Sequence, residues 1–330
     1  MPDIRILTEA ELRQCVRLDK QAVDITEQAF TQLEKGVVTM PPVLSMAMPS
    51  VNGEVDVKTA YIQGLNTFTI KASPGFFDNP ARGLPSLGGL MVVFCAQTGV
   101  VKAVLLDNGY LTDVRTAAAG GVAARHFAPS QVQTAGIIGA GVQAALQAQA
   151  LLLERRVERL LVWSPTRTNA ERYAQRQQDI LGIPVTVAEN AESVVRQSQL
   201  VVTTTPAGEP LIQADWLHPG LHITAMGADS PDKNELQAEV LIRADRFVCD
   251  RVQQSLERGE LRSAVAAGLI SADTPVDELG QVCSGQLAGR RDDQEITVCD
   301  LTGTGVQDTA IADHALGVAI RSGLGSVIKA

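Results

Sequence analysis

The segment TAGIIGAGVQA, residues 134–144, is the sequence feature that most constrains the fold of this chain. The short apolar run at 135–138 predicts a buried strand, and the alanine- and leucine-rich run at 142–153 predicts a helix. Gly139 and Gly141 lie between the two, where an abrupt turn favours residues without a Cβ. The pattern therefore predicts a strand, a tight glycine turn and a helix, the unit from which parallel α/β sheets are built.

The small residues of this turn have the spacing G-x-G-x-x-A, with Ala144 in the third marked position. The first glycine permits the turn, the second lets a ligand approach the backbone, and the alanine lets helix pack on strand. The helix N-terminus offers unpaired N–H groups and a partial positive charge, which suit a pyrophosphate. We therefore predict dinucleotide binding, with a tight βα turn that binds nothing as the alternative. The predicted cofactor contacts here are Gly139, Ala140, Gly141, Val142 and Gln143.

Charge and hydropathy argue against several other classes of protein. A net charge of −9 without a basic patch argues against binding to nucleic acid or to an anionic membrane. Charged residues interrupt segment 1–19, and no apolar run approaches the ~20 residues of a membrane span. We expect a cytoplasmic protein with neither nucleic acid nor membrane as a partner.

The spacing of cysteine and histidine favours neither a disulfide framework nor a metal site. The five cysteines are odd in number, widely separated and without a C-x-x-C pair. Only His218 and His222 have an i, i+4 spacing, and Pro219 and Gly220 between them prevent a shared helix face. We expect no bound metal, and we expect the cysteines to pack as small apolar side chains.

Alternating strand and helix patterns after residue 130 predict a doubly wound parallel sheet. Strand–helix alternation at this spacing builds right-handed βαβ units. Strands are predicted at 135–138, 159–163, 184–187, 200–204, 221–225, 246–249 and 295–300, and helices at 142–153, 168–181, 191–197 and 234–242. Residues 130–305 are therefore predicted to form an NAD(P)-binding Rossmann domain.

The N-terminal part of the chain has the pattern of a different domain. A helix is predicted at 8–16, where Thr8 and Glu11 form a capping box, and a second helix at 20–35. Short runs of Val, Thr, Ile and Phe between glycines and prolines over 37–104 predict a mainly antiparallel sheet.

Two further helical segments are assigned to this N-terminal domain. One is a small-residue helix at 111–124 with Thr112 as its N-cap, and the other is an apolar segment at 306–327 expected to fold back onto the domain. The predicted fold class is thus α/β: a Rossmann doubly wound parallel sheet over 130–305, plus an N-terminal α+β domain over 1–129 that the C-terminal helix, within 306–330, completes.

The residues after the second strand of the dinucleotide fold bear on the choice of cofactor. An acid at this place bonds the ribose 2′-OH and repels a 2′-phosphate. Here the sequence reads WSPTR, without an acid, and Ser164, Thr166 and Arg167 can each donate to a phosphate. We predict NAD(P)H with NADP favoured over NAD; an Arg167 that is merely solvated at a helix start leaves either cofactor possible.

Five motifs in order make the chain resemble the ornithine cyclodeaminase/mu-crystallin family over nearly its whole length. They are FTIKA at 68–72, LTDVRTAA at 111–118, GAGVQ at 139–143, MGADSPDKNEL at 226–236 and DLTGTGVQD at 300–308. Two more segments resemble the ectoine-utilisation (EutC) branch of that family. They are GEVDVKTAY at 53–61 and KASPGFFDNP at 71–80.

The resemblance implies a homodimer whose N-terminal domains close a β-barrel across the two-fold axis, with the active site between the two domains of each chain. It implies a small amino acid or its imine as substrate, and hydride transfer between its Cα and the nicotinamide. The implied cofactor contacts beyond the glycine turn are Arg115, Thr116, Met226, Gly227 and Asp229. The implied substrate contacts are Lys58, Lys71, Arg115 and Gly303.

Three side chains are also candidates on chemical grounds. A substrate carboxylate must be held rigidly, and Lys71 in an apolar run and Arg115 in the first turn of a helix can supply charge-assisted hydrogen bonds. Asp229 follows a strand at the carboxyl edge of the sheet, where it can stabilise an iminium or move a proton. The structural alternatives are a solvated lysine and an Asx-turn or N-cap aspartate; the resemblance favours catalytic roles for Lys71 and Asp229.

The chain departs from the family pattern in two places. No arginine follows Pro41 and Pro42, where the family commonly completes its carboxylate clamp. Lys58 lies where the cyclodeaminases place an acid for the substrate's amino group, and a cation there repels an ammonium and attracts a second carboxylate or carbonyl.

These departures favour an NAD(P)-dependent imine reductase or amino-acid dehydrogenase over ornithine cyclisation. The iminosuccinate reductases of the same family are a precedent, and ectoine or hydroxyectoine breakdown is a candidate setting. Two alternatives stay open: a redox-neutral cyclodeaminase that releases ammonia, and a non-catalytic NADPH-binding protein of the mu-crystallin type.

Overall fold

The computed structural model describes residues 3–329, which divide into two compact units. The first unit comprises the chain up to Arg17, Gln28–Arg115 and the chain from Thr304 onward. The second unit comprises Leu18–Glu27 and Thr116–Gly303. Compactness therefore groups residues 18–27 and 116–129 with the second unit, whereas the sequence analysis assigned both to the N-terminal domain.

The elements alternate between strands and helices for most of the chain. The strands are β1 (Asp3–Thr8), β2 (Val38–Thr39), β3 (Leu44–Met48), β4 (Gly53–Ile62), β5 (Thr67–Phe76), β6 (Leu90–Cys95), β7 (Val101–Leu106), β8 (Val132–Ile138), β9 (Val157–Trp163), β10 (Val185–Val187), β11 (Leu200–Thr203), β12 (His222–Ala225), β13 (Arg246–Cys249), β14 (Asp277–Glu278), β15 (Thr297–Asp300) and β16 (Ser326–Lys329). The helices are α1 (Glu9–Cys15), α2 (Lys20–Glu34), α3 (Tyr110–Phe127), α4 (Val142–Glu154), α5 (Arg167–Leu181), α6 (Ala191–Gln197), α7 (Glu239–Arg243), α8 (Val252–Glu257), α9 (Glu260–Ala266), α10 (Leu279–Cys283) and α11 (Gly305–Ser322). None of these described helices is long and apolar enough to cross a membrane.

The sheet of the first unit has the order β16-β1-β7-β6-β5-β4-β2, with β3 also paired to β4. Its pairings are antiparallel except for β1 with β7, as the pattern over 37–104 predicted. A small apolar core forms where Ala29 and Leu33 of α2 meet Ala60 and Ile62 of β4 and Val306 of α11. The helix α11 therefore packs on the same sheet that carries the long hairpin β4–β5.

The sheet of the second unit is parallel, in the order β10-β9-β8-β11-β12-β15-β13-β14. From β8 the chain passes to β9 on one side, while β11 pairs on the other, so the strand order reverses between β8 and β11. Apolar side chains fill both faces, with one core around Ile137 and Leu160 and another around Ile223 and Leu236. This is a doubly wound sheet with a topological switch point, and it confirms the predicted fold class.

Helix boundaries depart from the predictions in three places, each for an identifiable reason. The helix α3 begins at Tyr110, so Thr112 lies inside it; the carboxylate of Asp107 accepts the Leu111 N–H at 2.9 Å and caps the first turn instead. The C-terminal helix ends at Ser322, because the next residue, Gly323, has a φ of 67°. The chain then returns as β16, a strand that the sequence did not indicate.

The third difference concerns segment 234–242, which is helical only in α7. Here the backbone N–H groups of Glu235 and Leu236 donate to the carboxylate of Glu260 at 2.8 and 3.1 Å. Leu236 also bridges Ile212 in parallel. Because these contacts hold the backbone extended, the apolar periodicity of the segment does not produce a longer helix.

Candidate functional site

Two lysines lie side by side in the hairpin of the first unit. Lys58 of β4 and Lys71 of β5 are direct cross-strand partners, so their side chains share one face of the sheet. Both are buried, at 7% and 2% exposure. Like charges placed opposite each other are ordinarily unfavourable, and burial adds a desolvation penalty, so a lysine pair here needs an anion nearby.

That anion is Asp308 of α11, a fully buried carboxylate that the sequence analysis missed as a site residue. Lys71 Nζ lies 3.1 Å from its Oδ1 and 2.9 Å from its Oδ2, and Arg115 Nε donates to Oδ1 at 2.9 Å. Asp308 is the last residue of the motif at 300–308 and lies in the first turn of its helix, where a negative charge is favourable. Its position beside two cations could not be read from the sequence spacing.

Burial and charge together set the protonation of this group. Burial, followed by repulsion from Arg115, lowers the pKa of Lys71 from its ordinary range to about 7, although the charge of Asp308 opposes the change. Burial by itself would raise the pKa of Asp308, but the charges of Arg115 and Lys71 lower it below its ordinary value. Two cations thus share one carboxylate, and a second carboxylate would balance the remaining positive charge.

Close contacts between α11 and the hairpin fix the position of Asp308. A Cβ on Gly305 would lie 2.4 Å from the carbonyl oxygen of Thr59, so only glycine fits there. The Thr309 hydroxyl donates to the Ala60 carbonyl at 2.8 Å and accepts the Thr69 N–H at 3.3 Å. The helix is therefore tied to both strands at the level of the two lysines.

The glycine turn of the second unit has the geometry that the sequence predicted. Gly139 follows β8 with a φ of 125°, and a Cβ on it would lie 2.4 Å from Thr204 Oγ1, just after β11. Gly141 precedes α4 without a side-chain cap, and a Cβ there would meet nothing within 4 Å. Val142 is 64% exposed. The N–H groups at the start of α4 are thus approachable at the switch point of the sheet, as a bound pyrophosphate requires.

Thr116 and Ala144 of the second unit are held by side chains of neighbouring helices. The Gln147 amide of α4 donates to the Thr116 carbonyl at 3.1 Å, and a Cβ on Gly120 would lie 1.8 Å from Gln147 Oε1. The Tyr173 hydroxyl of α5 donates to the Ala144 carbonyl at 2.9 Å. Small residues in this part of α3 therefore permit close packing against α4, as the composition suggested.

The candidate residues for a 2′-phosphate lie where β9 ends and α5 begins. Ser164 is partly exposed, Thr166 is the N-cap position of α5, and Arg167 is its first residue. Arg167 is largely exposed, and its Nε lies 2.9 Å from Glu171 Oε1 in an i, i+4 ion pair. The local structure therefore places hydrogen-bond donors where a 2′-phosphate would lie, but the guanidinium of Arg167 is already paired with Glu171.

Asp229 lies in the loop after β12, as predicted. Its side chain is about half-exposed, and its Oδ1 accepts a hydrogen bond from Lys233 Nζ at 2.6 Å. The same loop begins with the nearly buried Met226 and with Gly227. The sequence analysis did not anticipate the Lys233 partner, although an i, i+4 acid–base spacing was present.

A second buried carboxylate missed from the sequence, Glu235, holds this loop. Its two oxygens accept hydrogen bonds from the Thr203 hydroxyl at 2.5 Å and from the Thr205 N–H, the Thr205 hydroxyl and the Gly227 N–H at 2.7 Å each. Burial raises the pKa of Glu235 above its ordinary value. Because Thr203 is the last residue of β11, Thr205 lies in the loop after it and Gly227 follows β12, this one side chain ties the ends of two strands together at the carboxyl edge of the sheet.

Gly303 lies in the turn after β15, which is also held by hydrogen bonds to a buried carboxylate. Its N–H donates to Asp250 Oδ2 at 2.7 Å, its carbonyl accepts from Gln254 at 2.9 Å, and its φ is 77°. The first unit thus brings Lys58, Lys71 and Arg115 together. The second unit places the glycine turn, Met226, Gly227, Asp229 and Gly303 at the carboxyl ends of its strands.

Comparison with known proteins agrees with this architecture. An uncharacterised cyclodeaminase of Sinorhizobium fredii is 49% identical over 330 residues, which are 100% of both chains. The solved structure of Thermococcus litoralis Δ1-pyrroline-2-carboxylate reductase in complex with NADH and L-proline is similar with a TM-score of 0.92 and 28% identity, over 98% of this chain and 100% of that one. An archaeal alanine dehydrogenase dimer with bound NAD gives a TM-score of 0.91 and 31% identity, over 99% of each chain.

The family model of the ornithine cyclodeaminase/mu-crystallin proteins matches residues 3–316. This match spans both compact units and includes every residue discussed above as a candidate contact. The chain therefore belongs to the ornithine cyclodeaminase/mu-crystallin family.

Proposed function

We propose that this protein is an NAD(P)-dependent enzyme that reduces the imine of a small amino acid, or catalyses the reverse oxidation. The observation that carries the proposal is the pair of buried cations, Lys71 and Arg115, that share the single carboxylate of Asp308. An α-imino acid brings a second carboxylate, which would balance the remaining charge. The pyrroline-carboxylate reductase and the alanine dehydrogenase among its relatives carry out chemistry of this class.

Lys71 and Arg115 would hold the substrate carboxylate, with Asp308 orienting both. A buried bidentate or paired contact of this kind fixes direction as well as distance, which hydride transfer requires. Lys58, adjacent to Lys71 on the sheet, would favour a substrate with a second carboxylate or carbonyl and disfavour one with a side-chain ammonium. Gly303 stays a proposed substrate contact through its backbone.

The glycine turn and the start of α4 would hold the pyrophosphate of the dinucleotide. A bound NAD(P)H supplies the hydride that converts the C=N carbon to the amino acid Cα. The acid-free segment WSPTR keeps NADP as the proposed preference, although the two structural relatives hold NADH and NAD. Arg115, Thr116, Met226 and Gly227 stay proposed cofactor contacts.

Asp229 would act on the nitrogen of the substrate. A carboxylate near a protonated imine stabilises the iminium and can exchange a proton with the product amine. Its contact with Lys233 Nζ offers a second proton-bearing group at the same loop, and Glu235 keeps the loop in place through the Gly227 N–H.

A redox-neutral cyclodeaminase is the second candidate, because the Sinorhizobium fredii relative carries that name. In that reaction hydride leaves the amino acid, the side-chain amine closes a ring, ammonia departs and the hydride returns. The lysine at position 58 argues against it, since a diamino acid would bring an ammonium toward a buried cation.

The two candidates are separated by their products. We expect the protein to oxidise NADH or NADPH with Δ1-pyrroline-2-carboxylate, or with pyruvate or oxaloacetate plus ammonia, and the ratio of kcat/KM for the two cofactors gives the preference. The ectoine setting is tested with an α-imino acid of the kind that a dehydratase in ectoine or hydroxyectoine breakdown would release. Ammonia released from L-ornithine or L-2,4-diaminobutyrate with catalytic NAD⁺ would instead establish the cyclodeaminase.

The variant Asp229→Asn distinguishes an enzyme from a protein that binds the cofactor without turnover. Asp229→Asn removes the proposed proton-exchanging carboxylate while keeping its size, so turnover should fall about a hundredfold or more while NADH still binds. Unchanged turnover would remove Asp229 from the mechanism, and no turnover by the native protein on any of these substrates would favour the mu-crystallin type of function.

We also propose that residues 1–129 and 306–330 form the substrate-binding and dimerisation domain, that residues 130–305 form the cofactor-binding domain, and that the protein is a homodimer. The hairpin and its neighbours carry several exposed apolar side chains, which suit an interface. They are Leu44, Met46, Ile70, Phe77 and Leu87. The archaeal relative is itself a dimer.

A further inference from the structure

Three side chains with metal-binding atoms meet in the second unit, each on a different helix. They are Glu27 of α2, His126 of α3 and Cys283 of α10, and one ligand atom of each lies within 4.8 Å of the other two. The residues are far apart in sequence, so only the tertiary structure brings them together. None of the three belongs to the proposed substrate or cofactor contacts.

The spacing and exposure of the three groups suit a small divalent cation. Zn²⁺ binds thiolate, imidazole and carboxylate at about 2.0–2.3 Å, which in a tetrahedron separates ligand atoms by about 3.3–3.8 Å. His126 Nε2 and Glu27 Oε1 are 2.5 Å apart as an ion pair, so a cation that binds both would replace this pair and separate the two atoms to about 3.3–3.8 Å. Both side chains are 22% exposed, which leaves a path for the cation and a position for water as fourth ligand.

Surrounding acids favour a cation at this place. Arg125, the neighbour of His126, donates from two nitrogens to both oxygens of Glu154 at 2.8 and 2.9 Å. The same guanidinium contacts Asp24 and Glu27 of α2. One arginine therefore faces three carboxylates, so the local field attracts positive charge even though Glu27 already has Arg125 as a neighbour.

The backbone around His126 and Cys283 is also fixed before any ion binds. The His126 carbonyl accepts the Arg290 N–H at 2.8 Å, and a Cβ on Gly289 would lie 2.3 Å from the same carbonyl. The helix α10 that ends in Cys283 starts with a capping box, in which Gln281 Oε1 accepts the Glu278 N–H at 2.9 Å. Ligands held by fixed helices lose little entropy on binding a metal.

We propose that Glu27, His126 and Cys283 form a Zn²⁺ site that ties α2, α3 and α10 together. Binding converts the Cys283 thiol to a thiolate and releases one proton to solvent, with no change of oxidation state. The role is structural: because the folded state holds the three ligands together and the unfolded chain does not, Zn²⁺ stabilises the folded protein. The site is independent of the reaction proposed above.

The test uses Co²⁺ as a spectroscopic probe on the full-length protein, reduced and freed of metal by a chelator. We expect a thiolate-to-cobalt charge-transfer band that saturates at about one equivalent and is displaced by Zn²⁺. Cys283→Ser should abolish the band, and His126→Gln should weaken cobalt binding at least tenfold. The matched control is Cys95→Ser, a partly exposed cysteine of the first unit, which should leave the band unchanged.

A second measurement keeps the outcome clear if one variant folds poorly. Added Zn²⁺ should raise the unfolding temperature of the native protein and of Cys95→Ser, and should not raise that of His126→Gln. No charge-transfer band in the native protein, or an equal band in Cys283→Ser, would refute the site and leave the cluster as an ion pair beside a packed thiol.

Discussion

Lys71 is the residue whose charge most directly links the structure to pH. A lysine ordinarily stays charged up to about pH 10, but the pKa of Lys71 is lowered to about 7, first by burial and then by Arg115. Below this pKa the ammonium is present and can bind a substrate carboxylate; above it the group is neutral. We therefore expect KM for an imino acid to rise as pH increases from 6 to 9, by up to tenfold per unit above 7, measured from initial rates.

Two variants test whether Lys71 causes this dependence. Lys71→Met should raise KM by about ten- to a hundredfold at pH 6 and remove its pH dependence, because a hydrogen bond to a charged group contributes about 1.5–3 kcal/mol. Lys102→Met, a change at an exposed lysine of β7, should keep the native profile. A native KM that is constant from pH 6 to 9 would show that Lys71 does not hold the substrate.

For Asp308 we predict an effect on the free energy of unfolding. Asp308→Asn keeps the shape of the side chain but leaves Lys71 and Arg115 without their shared carboxylate, and breaking a buried ion pair costs about 3–5 kcal/mol. A buried lysine with a lowered pKa makes the folded state bind its proton more weakly than the unfolded state, so stability rises with pH between about 7 and 10.5. Asp308 stabilises the charged form of Lys71, which predominates below about pH 7. The loss in the free energy of unfolding, measured with urea, should therefore be larger at pH 6 than at pH 9.

The comparison for this prediction is Asp313→Asn, one turn and a little further along α11. Asp313 Oδ1 accepts a hydrogen bond from the Thr67 hydroxyl at 2.6 Å, and no lysine or arginine contact accompanies it in the described structure. That variant should lose about 1 kcal/mol or less, without a pH trend. Equal losses in both variants would mean that charge balance around Lys71 is not what Asp308 provides.

At the scale of elements, the two glycines of the turn between β8 and α4 have different expected roles. Gly139 is needed for the stability of the fold, and Gly141 is needed for ligand binding. Gly139→Ala combines a φ of 125° with a Cβ 2.4 Å from Thr204 Oγ1, so we expect a loss of about 1–3 kcal/mol in the free energy of unfolding. Gly141→Ala has an ordinary φ of −90° and open space around its Cβ, so stability should change by less than about 0.5 kcal/mol. Its methyl group would instead occupy the approach to α4, and NADH affinity should fall at least tenfold.

Thermal unfolding and NADH fluorescence titration of the two variants measure these effects separately. Normal NADH affinity in Gly141→Ala would place the pyrophosphate elsewhere, whatever happens at Gly139. If both variants lose stability equally, the space around Gly141 is not open in solution.

Elements whose sequence pattern is local were predictable, and those set by distant contacts were not. The glycine turn, the capping box at Thr8 and Glu11, and most strands of the parallel sheet followed from periodicity and turn residues. The strands β1 and β16 were missed because each pairs with a partner far along the chain.

The same distinction applies to the candidate site. Lys71 and Arg115 stood out from their sequence surroundings, and the family motifs marked Asp229. Asp308 and Glu235 were missed, because their importance lies in which buried groups they contact, 237 residues away for Asp308 and Lys71. Family motifs can mark such residues, but only the folded chain shows which cations or N–H groups a buried acid contacts.

At the scale of the whole molecule, the apolar surface of the first unit predicts self-association. Leu44 and Met46 of β3 are 61% and 52% exposed, and Leu87, bridged to the end of β5, is 63% exposed. Soluble monomers seldom leave several large apolar side chains uncovered on neighbouring strands. A two-fold contact repeats each of these residues on both sides of one interface, so a single substitution acts twice.

Met46→Glu should therefore shift the protein from dimer to monomer, because two buried glutamates without partners would face the interface. Light scattering coupled to size-exclusion chromatography gives the mass directly, and the unfolding temperature of the native protein should rise with protein concentration while that of the variant should not. Ile242→Glu is the matched control, since Ile242 of α7 is 51% exposed but lies in the second unit. A native protein that runs as a monomer would overturn the proposed homodimer, and a dimeric Met46→Glu would move its interface away from β3.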